Sequence, residues 1–244
     1  MRNIKLTIQY DGTGYAGWQF QKNGRSIQET IQNAVRNITG EKVNLIGSGR
    51  TDAGVHAEAQ VANFRTRSKI PLENLQMALN SALADDIVIS KIEQAGSRFN
   101  AQHDAKSKLY RYTIVNNDFV DPFIKRYAAK CFYKIDIGLM KKAAKVLAGK
   151  HDFTSFQTAD GEEKNAVRTI EYIKFEKSED IVYIYMKADG FLYNMARTIV
   201  GTLIEAGRGK FTVDYVKKIL KKKDRRCAGP TMPAKGLSLV RVGY

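Results

Sequence analysis

The sequence predicts an α+β protein built from two ferredoxin-like (RRM-like) halves, each an antiparallel sheet backed by helices. Three observations predict it. Short apolar-polar alternations are interleaved with runs of helical period along the whole chain. The first hundred residues fall into the order strand, helix, strand, strand, helix, strand, which is the βαββαβ plan. The remainder approximates that order again, with one added helix. At 244 residues the chain has the volume for two ordinary domains with real cores.

The elements follow in order. Ile4-Lys5-Leu6-Thr7-Ile8 alternates as a half-buried strand does. Ser26 opens a helix, with Glu29 three residues on as in a capping box. Ile27, Ile31, Ala34, Val35 and Ile38 keep the helical period, and Thr39-Gly40 ends it. Val43 to Ile46 reads as a strand running into a glycine-rich loop, and Gln60 to Phe64 as a strand running out. Pro71 begins a second helix with Leu72, Leu75, Leu79 and Leu83 on one side. Asp86 to Ile92 closes the half as a strand. In the second half, Leu109 to Val115 is a strand, and Ile137 to Leu147 is a helix with the stripe Leu139, Ala143, Val146, Leu147. Arg168 to Glu176 and Ile181 to Lys187 form a hairpin. Met195 to Ala206 and Thr212 to Leu220 are helices, and Leu237 to Val242 is the last strand. The polar stretch near 100–106 divides the chain into domains 1–105 and 106–244.

Composition narrows the function. Hydrophobic residues make up 43% and charged residues 27%, which is globular composition. No apolar run approaches the roughly 20 residues of a membrane helix, and the N-terminus leads into a strand pattern and not a signal sequence. The expected compartment is the cytoplasm, with no membrane partner. Cys131 and Cys227 form no C-x-x-C pair, and His56, His103 and His151 do not recur at metal-ligand spacing, so no metal site is expected. Net charge is +15. The first 100 residues carry 12 basic and 9 acidic side chains; the other 144 carry 28 and 16. A field of that sign gathers polyanions, and nucleic acid is the expected partner.

The densest chemistry lies in Gly47-Ser48-Gly49-Arg50-Thr51-Asp52-Ala53-Gly54-Val55-His56. Asp52 is either a turn residue, since Asp and Gly dominate turns, or a working carboxylate on a loop fixed by a scaffold. A second glycine-rich loop, Tyr10 to Gln19, carries the only Trp. Trp18 either stacks on unpaired bases or staples the loop to the core. Tyr110 shares a strand face with Lys108 and Tyr112, as core or as a stacking platform. Arg197 stands in the apolar run from Phe191 to Gly201. Buried, it requires a partner, for which Asp52 is a candidate; at the helix edge it would snorkel. Lys217, Lys218, Lys221, Lys222, Lys223, Arg225 and Arg226 make a late basic run whose helical spacing lines one exposed face. It serves either as a solvated surface or as a contact for RNA backbone. No phosphate loop and no serine nucleophile elbow occurs.

Gly49-Arg50-Thr51-Asp52-Ala53-Gly54-Val55-His56 resembles the signature of the TruA family of tRNA pseudouridine synthases. Tyr10 to Thr13 with Gly17 to Gln21, Arg98 to Ala101 with Lys108 to Tyr112, Gly149 to Phe156, Phe191 to Gly201, and Pro233 to Leu239 resemble further motifs in the family's order. Ala59 and Met232 depart from its usual Gly and Ala. The resemblance implies the pseudouridine synthase fold with a central basic cleft, and an isomerase that needs no cofactor. Uridines 38, 39 and 40 of the tRNA anticodon stem-loop would become pseudouridine as the N1–C1′ bond breaks and a C5–C1′ bond forms. Asp52 would be the nucleophile, acting at C6 of uracil, at C1′ of ribose, or by assisting a glycal route. Arg197 would charge-stabilise it, Tyr110 would stack on the detached uracil, and Leu237 would wall the pocket. Arg50 would fill the space left by the flipped base, and Lys221, Lys222, Lys223, Arg225 and Arg226 would hold RNA backbone. The resemblance also implies a homodimer. The alternative is a non-catalytic RNA-binding protein of two RRM-like halves, but neither half carries the RNP1 run.

Overall fold

The computed structural model describes residues 1–158 and 165–244. They divide into two compact units, Met1–Lys106 with Ser238–Tyr244, and Ser107–Leu237. The sequence placed one boundary near 100–106; the structure in addition returns the last seven residues to the first unit.

The elements in chain order are β1 (Arg2–Tyr10), α1 (Ile27–Thr39), β2 (Ile46–Gly47), β3 (His56–Thr66), α2 (Leu72–Ala82) and β4 (Ile87–Ala95). Then come β5 (Ser107–Val115), β6 (Ala129–Lys130), α3 (Ile137–Leu147), β7 (Gly149–Asp152), β8 (Val167–Ser178), β9 (Ile181–Ala188), α4 (Met195–Gly207), α5 (Val213–Lys222) and β10 (Leu237–Gly243).

In the first unit β1 is central. It pairs antiparallel with β3 (Ile4 opposite Phe64, Leu6 opposite Ala62) and with β4 (Leu6 opposite Ile92). The other edge of β3 is shared: β2 pairs antiparallel at Asn63 and Ala62, and β10 pairs parallel at His56 and Ala57. The βαββαβ order is therefore present, with a strand from the chain's end added. Ile4, Leu6 and Ile8 of β1, Ile27, Ile31 and Val35 of α1, and Leu75 and Leu79 of α2 are fully buried. The period-two and period-3.6 stripes thus meet in one core. The Ser26 hydroxyl accepts from Glu29 N (3.2 Å) and Gly40 ends α1 at φ 73°, the two caps expected of such a helix.

The predicted strand at Val43–Ile46 is a correction. Only Ile46 and Gly47 pair. Val43 and Leu45 are buried, but their carbonyls accept from the Gln32 and Gln28 side chains of α1, both at 2.8 Å. Alternating burial imitated a strand while two glutamines replaced the ladder.

In the second unit β9 lies between β5 (Tyr110 opposite Met186) and β8 (Ile184 opposite Phe175), all antiparallel, and β7 pairs beyond β8. The predicted hairpin is present and turns at Glu179, which takes φ 50°. The stripe of α3 is rotated from the one expected: Met140, Ala143, Ala144 and Leu147 are buried while Leu139 is exposed. Positions i, i+3, i+4 and i+7 from Met140 make the tighter helical face. β7 was not expected, because Gly-Lys-His-Asp shows no alternation.

Helix α4 organises this unit. Every residue of it is buried except Arg197. The chain after α5 approaches it so closely that a Cβ on Gly201 would overlap the carbonyl oxygen of Pro230, and the Gly229 amide donates to the Thr202 hydroxyl at 2.9 Å. Gly201→Ala is expected to destabilise the protein by about 3 kcal/mol or more, because main chain and not a movable side chain occupies the space. Denaturant unfolding against wild type measures it.

Candidate active site

The Asp52 loop is held by main chain, not by its own side chains. Trp18 N donates to Thr51 O (3.0 Å), and Val55 N donates back to Asp52 O (3.1 Å), closing the turn at Gly54, φ 78°. Gly17, at φ 101°, brings the first loop against this segment: a Cβ there would lie 2.6 Å from Thr51 O and 3.1 Å from Asp52 C. A Cβ on Gly12 would overlap the Val55 carbonyl oxygen. Such approaches demand glycine. Side chains complete the clamp. The Tyr10 and Thr51 hydroxyls are 2.8 Å apart and buried, and burial pushes the Tyr10 phenol well above its usual range, so it stays neutral as a hydrogen-bonding group. His56 Nδ1 lies 3.1 Å from both Gly12 N and Asp11 Oδ1, tying the first loop to the start of β3.

Trp18 settles the choice left open by the sequence. It is 1% exposed, and a Cβ on Gly47 would lie 2.5 Å from its indole ring. It staples the two loops together and does not offer a face to a base. With the turn so fixed, Asp52 is half-buried and Arg50 exposed. The Gly49 carbonyl beside Arg50 is anchored by Gln60 Nε2 (2.9 Å), and Gln60 is itself held by the Ser48 hydroxyl (2.6 Å). The result is a loop held in place from several sides, carrying a half-buried acid and an exposed guanidinium.

The other expected residues lie in the second unit. Tyr110 is 7% exposed and meets Phe191 edge-on, ring centroids 5.1 Å apart. On the same strand face Tyr112 donates its hydroxyl to Pro233 O (2.8 Å). Burial, aided by the Arg168 charge, lowers the Lys108 ammonium below its ordinary value. Leu237 is buried at the start of β10. Arg197 does not snorkel: its Nε donates to Met232 O and its Nη1 to Asn194 Oδ1, both at 2.6 Å. Asn194 was missed by sequence reasoning. It precedes α4 in the left-handed conformation, φ 60°, which Asn tolerates better than most residues; that is the one signal it carried.

The late basic run is not one helical face, a correction to the expectation. Lys217, Lys218, Lys221 and Lys222 are exposed on α5, but the chain breaks direction at Lys223, φ 51°, and Arg225 and Arg226 lie in a separate turn. Several of these cations are already paired. Lys223 Nζ is 2.7 Å from Asp152 Oδ2, Lys217 pairs with Asp214, and Arg226 pairs with Asp224.

Among the described residues no cluster of His, Cys, Asp and Glu could hold a metal ion, and no helix is long and apolar enough to cross a membrane. The chain matches the family model described as tRNA pseudouridine synthase over residues 6–104 and 143–244. It is 48% identical over 244 residues to the tRNA pseudouridine synthase A of Thermoanaerobacter sp. (strain X514), and 47% identical to that of Acetivibrio thermocellus, covering 100% of each chain. Among solved structures, a chain from an H/ACA RNP bound to a substrate RNA containing 2′-deoxyuridine aligns over 98% of this chain and 48% of its own. Its TM-score is 0.40 at 11% identity, too distant to place any residue.

One pH dependence follows from this geometry. Partial burial raises the Asp152 carboxyl, but the Lys223 ammonium and the Thr154 hydroxyl and amide outweigh it and bring it down to about 2. A carboxyl depressed in the folded state stabilises above its unfolded value, near 4, and that contribution is lost as pH falls toward 2. Asp152→Asn is expected to be less stable than wild type at neutral pH, by under about 1 kcal/mol for this solvent-screened pair. The difference is expected to vanish between about pH 4 and 2, read from denaturant midpoints across that range.

Proposed function

We propose that this chain, which belongs to the tRNA pseudouridine synthase family and isomerises uridine to pseudouridine in tRNA, acts on positions 38, 39 and 40 of the anticodon arm with Asp52 as its nucleophile. What carries the reading is the turn at Asp52: an acid on a loop that neighbouring main chain holds fixed. A turn aspartate needs no such clamp, whereas a nucleophile must be held in a near-attack position.

The chemistry is an isomerisation and balances without redox change. The N1–C1′ bond breaks, the uracil turns, a C5–C1′ bond forms, and the proton leaving C5 is matched by one gained at N1. Asp52 acts ionised, and the Arg197 guanidinium favours that form. Tyr110 stacks on the detached uracil, with Phe191 supporting its ring edge-on, and Leu237 walls the base. Arg50, exposed beside a glycine anchor, fills the gap left in the stem. A basic cleft and the late cations hold the backbone and read shape. The enzyme works in the cytoplasm as a homodimer. Phe119, Phe123 and Phe132, each at least 80% exposed, supply apolar surface for association. No resident cofactor is needed for these steps.

Asp52→Asn keeps the volume and removes the charge. It is expected to bind tRNA with wild-type affinity and form no pseudouridine, by carbodiimide-adduct mapping of anticodon arms. Full activity removes Asp52 from its role. Tyr110→Phe keeps the stacking ring and removes the hydroxyl that would shuttle the C5 proton; it is expected to lower kcat by about a hundredfold, the scale of one positioned proton-transfer group, with KM nearly unchanged. Equal losses in kcat and in tRNA affinity assign Tyr110 to packing alone.

A further inference from the structure

A second cluster lies in the second unit, outside the residues given a part in the chemistry. A cavity of about 500 Å³ is lined by Thr154, Gln157, Thr158, Lys223, Asp224, Arg225 and Arg226. Its cations are not equivalent. Arg226 donates from Nε and Nη2 to the two oxygens of Asp224 (3.0 and 2.9 Å), and Lys223 is tied to Asp152. Arg225 has no carboxylate among the described residues. Its Nη2 donates to the Thr231 hydroxyl (2.8 Å), and its Nε–H is shut away from solvent with no acceptor. A guanidinium keeps its charge at any physiological pH, so this one cannot relieve its burial by losing a proton. It fits an anion that brings its own oxygens, and a planar fork of N–H donors matches phosphate.

The cavity is wired to Arg197 by two routes. Asn194 Oδ1 accepts from Arg197 Nη1 (2.6 Å). A guanidinium only donates, so the amide oxygen must face it and the amide nitrogen must face the other way. That nitrogen donates to Thr158 Oγ1 (3.2 Å), leaving the Thr158 O–H to donate elsewhere, and Thr158 lines the cavity. The second route runs from Arg225 to Thr231 and along the chain to Met232, whose carbonyl accepts from Arg197 Nε (2.6 Å) and whose amide donates to Arg197 O (3.3 Å).

We propose that this cavity seats one backbone phosphate of the RNA substrate on Arg225 and Thr158, and that its occupation fixes Arg197 through Asn194 and the Thr231–Met232 chain. The proposal rests on the reading of Arg197 as part of the catalytic set. It makes Asn194 a positioning residue: it touches no substrate and acts by holding the guanidinium. Binding RNA at the seat orders both routes together, so productive substrate sets the arginine more firmly than a nucleotide lacking that phosphate does.

Full-length protein and unmodified tRNA test this, with affinity measured against salt concentration and turnover measured separately. Arg225→Gln is expected to make the salt dependence of affinity shallower by about 0.7 to 0.9 in log–log slope, the loss of one phosphate contact, and to lower kcat by about tenfold through a displaced Arg197. Arg225→Lys keeps the charge, and with it the slope, but loses the fork, and is expected to show the kcat loss alone. It carries the test if the glutamine variant fails to fold. Asn194→Gly permits the same left-handed backbone and removes the side chain. It is expected to lower kcat about tenfold with slope and KM unchanged. A wild-type slope in Arg225→Gln, or a wild-type kcat in Arg225→Lys, overturns the seat. A wild-type kcat in Asn194→Gly overturns the coupling. Wild-type protein that forms no pseudouridine in any anticodon arm overturns the functional reading instead, and the binding slopes still judge the seat.

Discussion

The first unit depends on one steric fact: two loops approach each other closer than any side chain permits. Gly12 rests on the Val55 carbonyl and Gly17 on the main chain of Thr51 and Asp52, while Gly47 leaves room for the indole of Trp18. Because contact is main chain to main chain, the Asp52 turn is positioned by hydrogen bonds that no rotamer change loosens. A loop held by its own side chains would have to commit those side chains to structure. This one is fixed chiefly by main chain, with Asp52 half-buried and Arg50 exposed on it. Tyr10, Thr51 and His56 then act as a second layer behind the clamp.

In the second unit the corresponding constraint is electrostatic. Helix α4 is buried along its length apart from Arg197, whose guanidinium it carries in its first turn. A cation at a helix N-terminus is opposed by the helix dipole, so Arg197 needs acceptors to hold it there. A main-chain carbonyl and an amide oxygen hold it, both neutral acceptors. These two acceptors, set at different nitrogens, fix the plane of the guanidinium.

How far the sequence was legible depended on which physical signal each element carried. The capped helix α1 and the alternation of β1 read correctly because stripe, cap and glycine stop agreed. Val43 to Ile46 misread because alternating burial is also what a loop shows when glutamines reach across to its carbonyls. The stripe of α3 slipped by one because Leu139 is a stronger hydrophobe than the alanines that face inward. The Asp52 loop was legible as chemistry because residue types that are costly to bury occur there with glycines. Asn194, Thr231 and Met232 were not, since their part comes from where a buried arginine needs acceptors, which is a property of packing.

The same reasoning explains why Arg225 stands apart from the basic residues around it. Most cations of the late run face water, where charge is screened and sequence alone predicts a solvated surface. Arg226, Lys223 and Lys217 carry local carboxylates that hold them in place. Arg225 has neither arrangement among the described residues: its Nε–H is shut away from solvent with no acceptor, and its Nη2 donates to a hydroxyl. A glutamine there could keep the bond to Thr231 without bringing a net charge into the interior, and stability alone would favour it. Among the described residues no carboxylate neutralises that charge, and two hydrogen-bonded routes join its surroundings to Arg197.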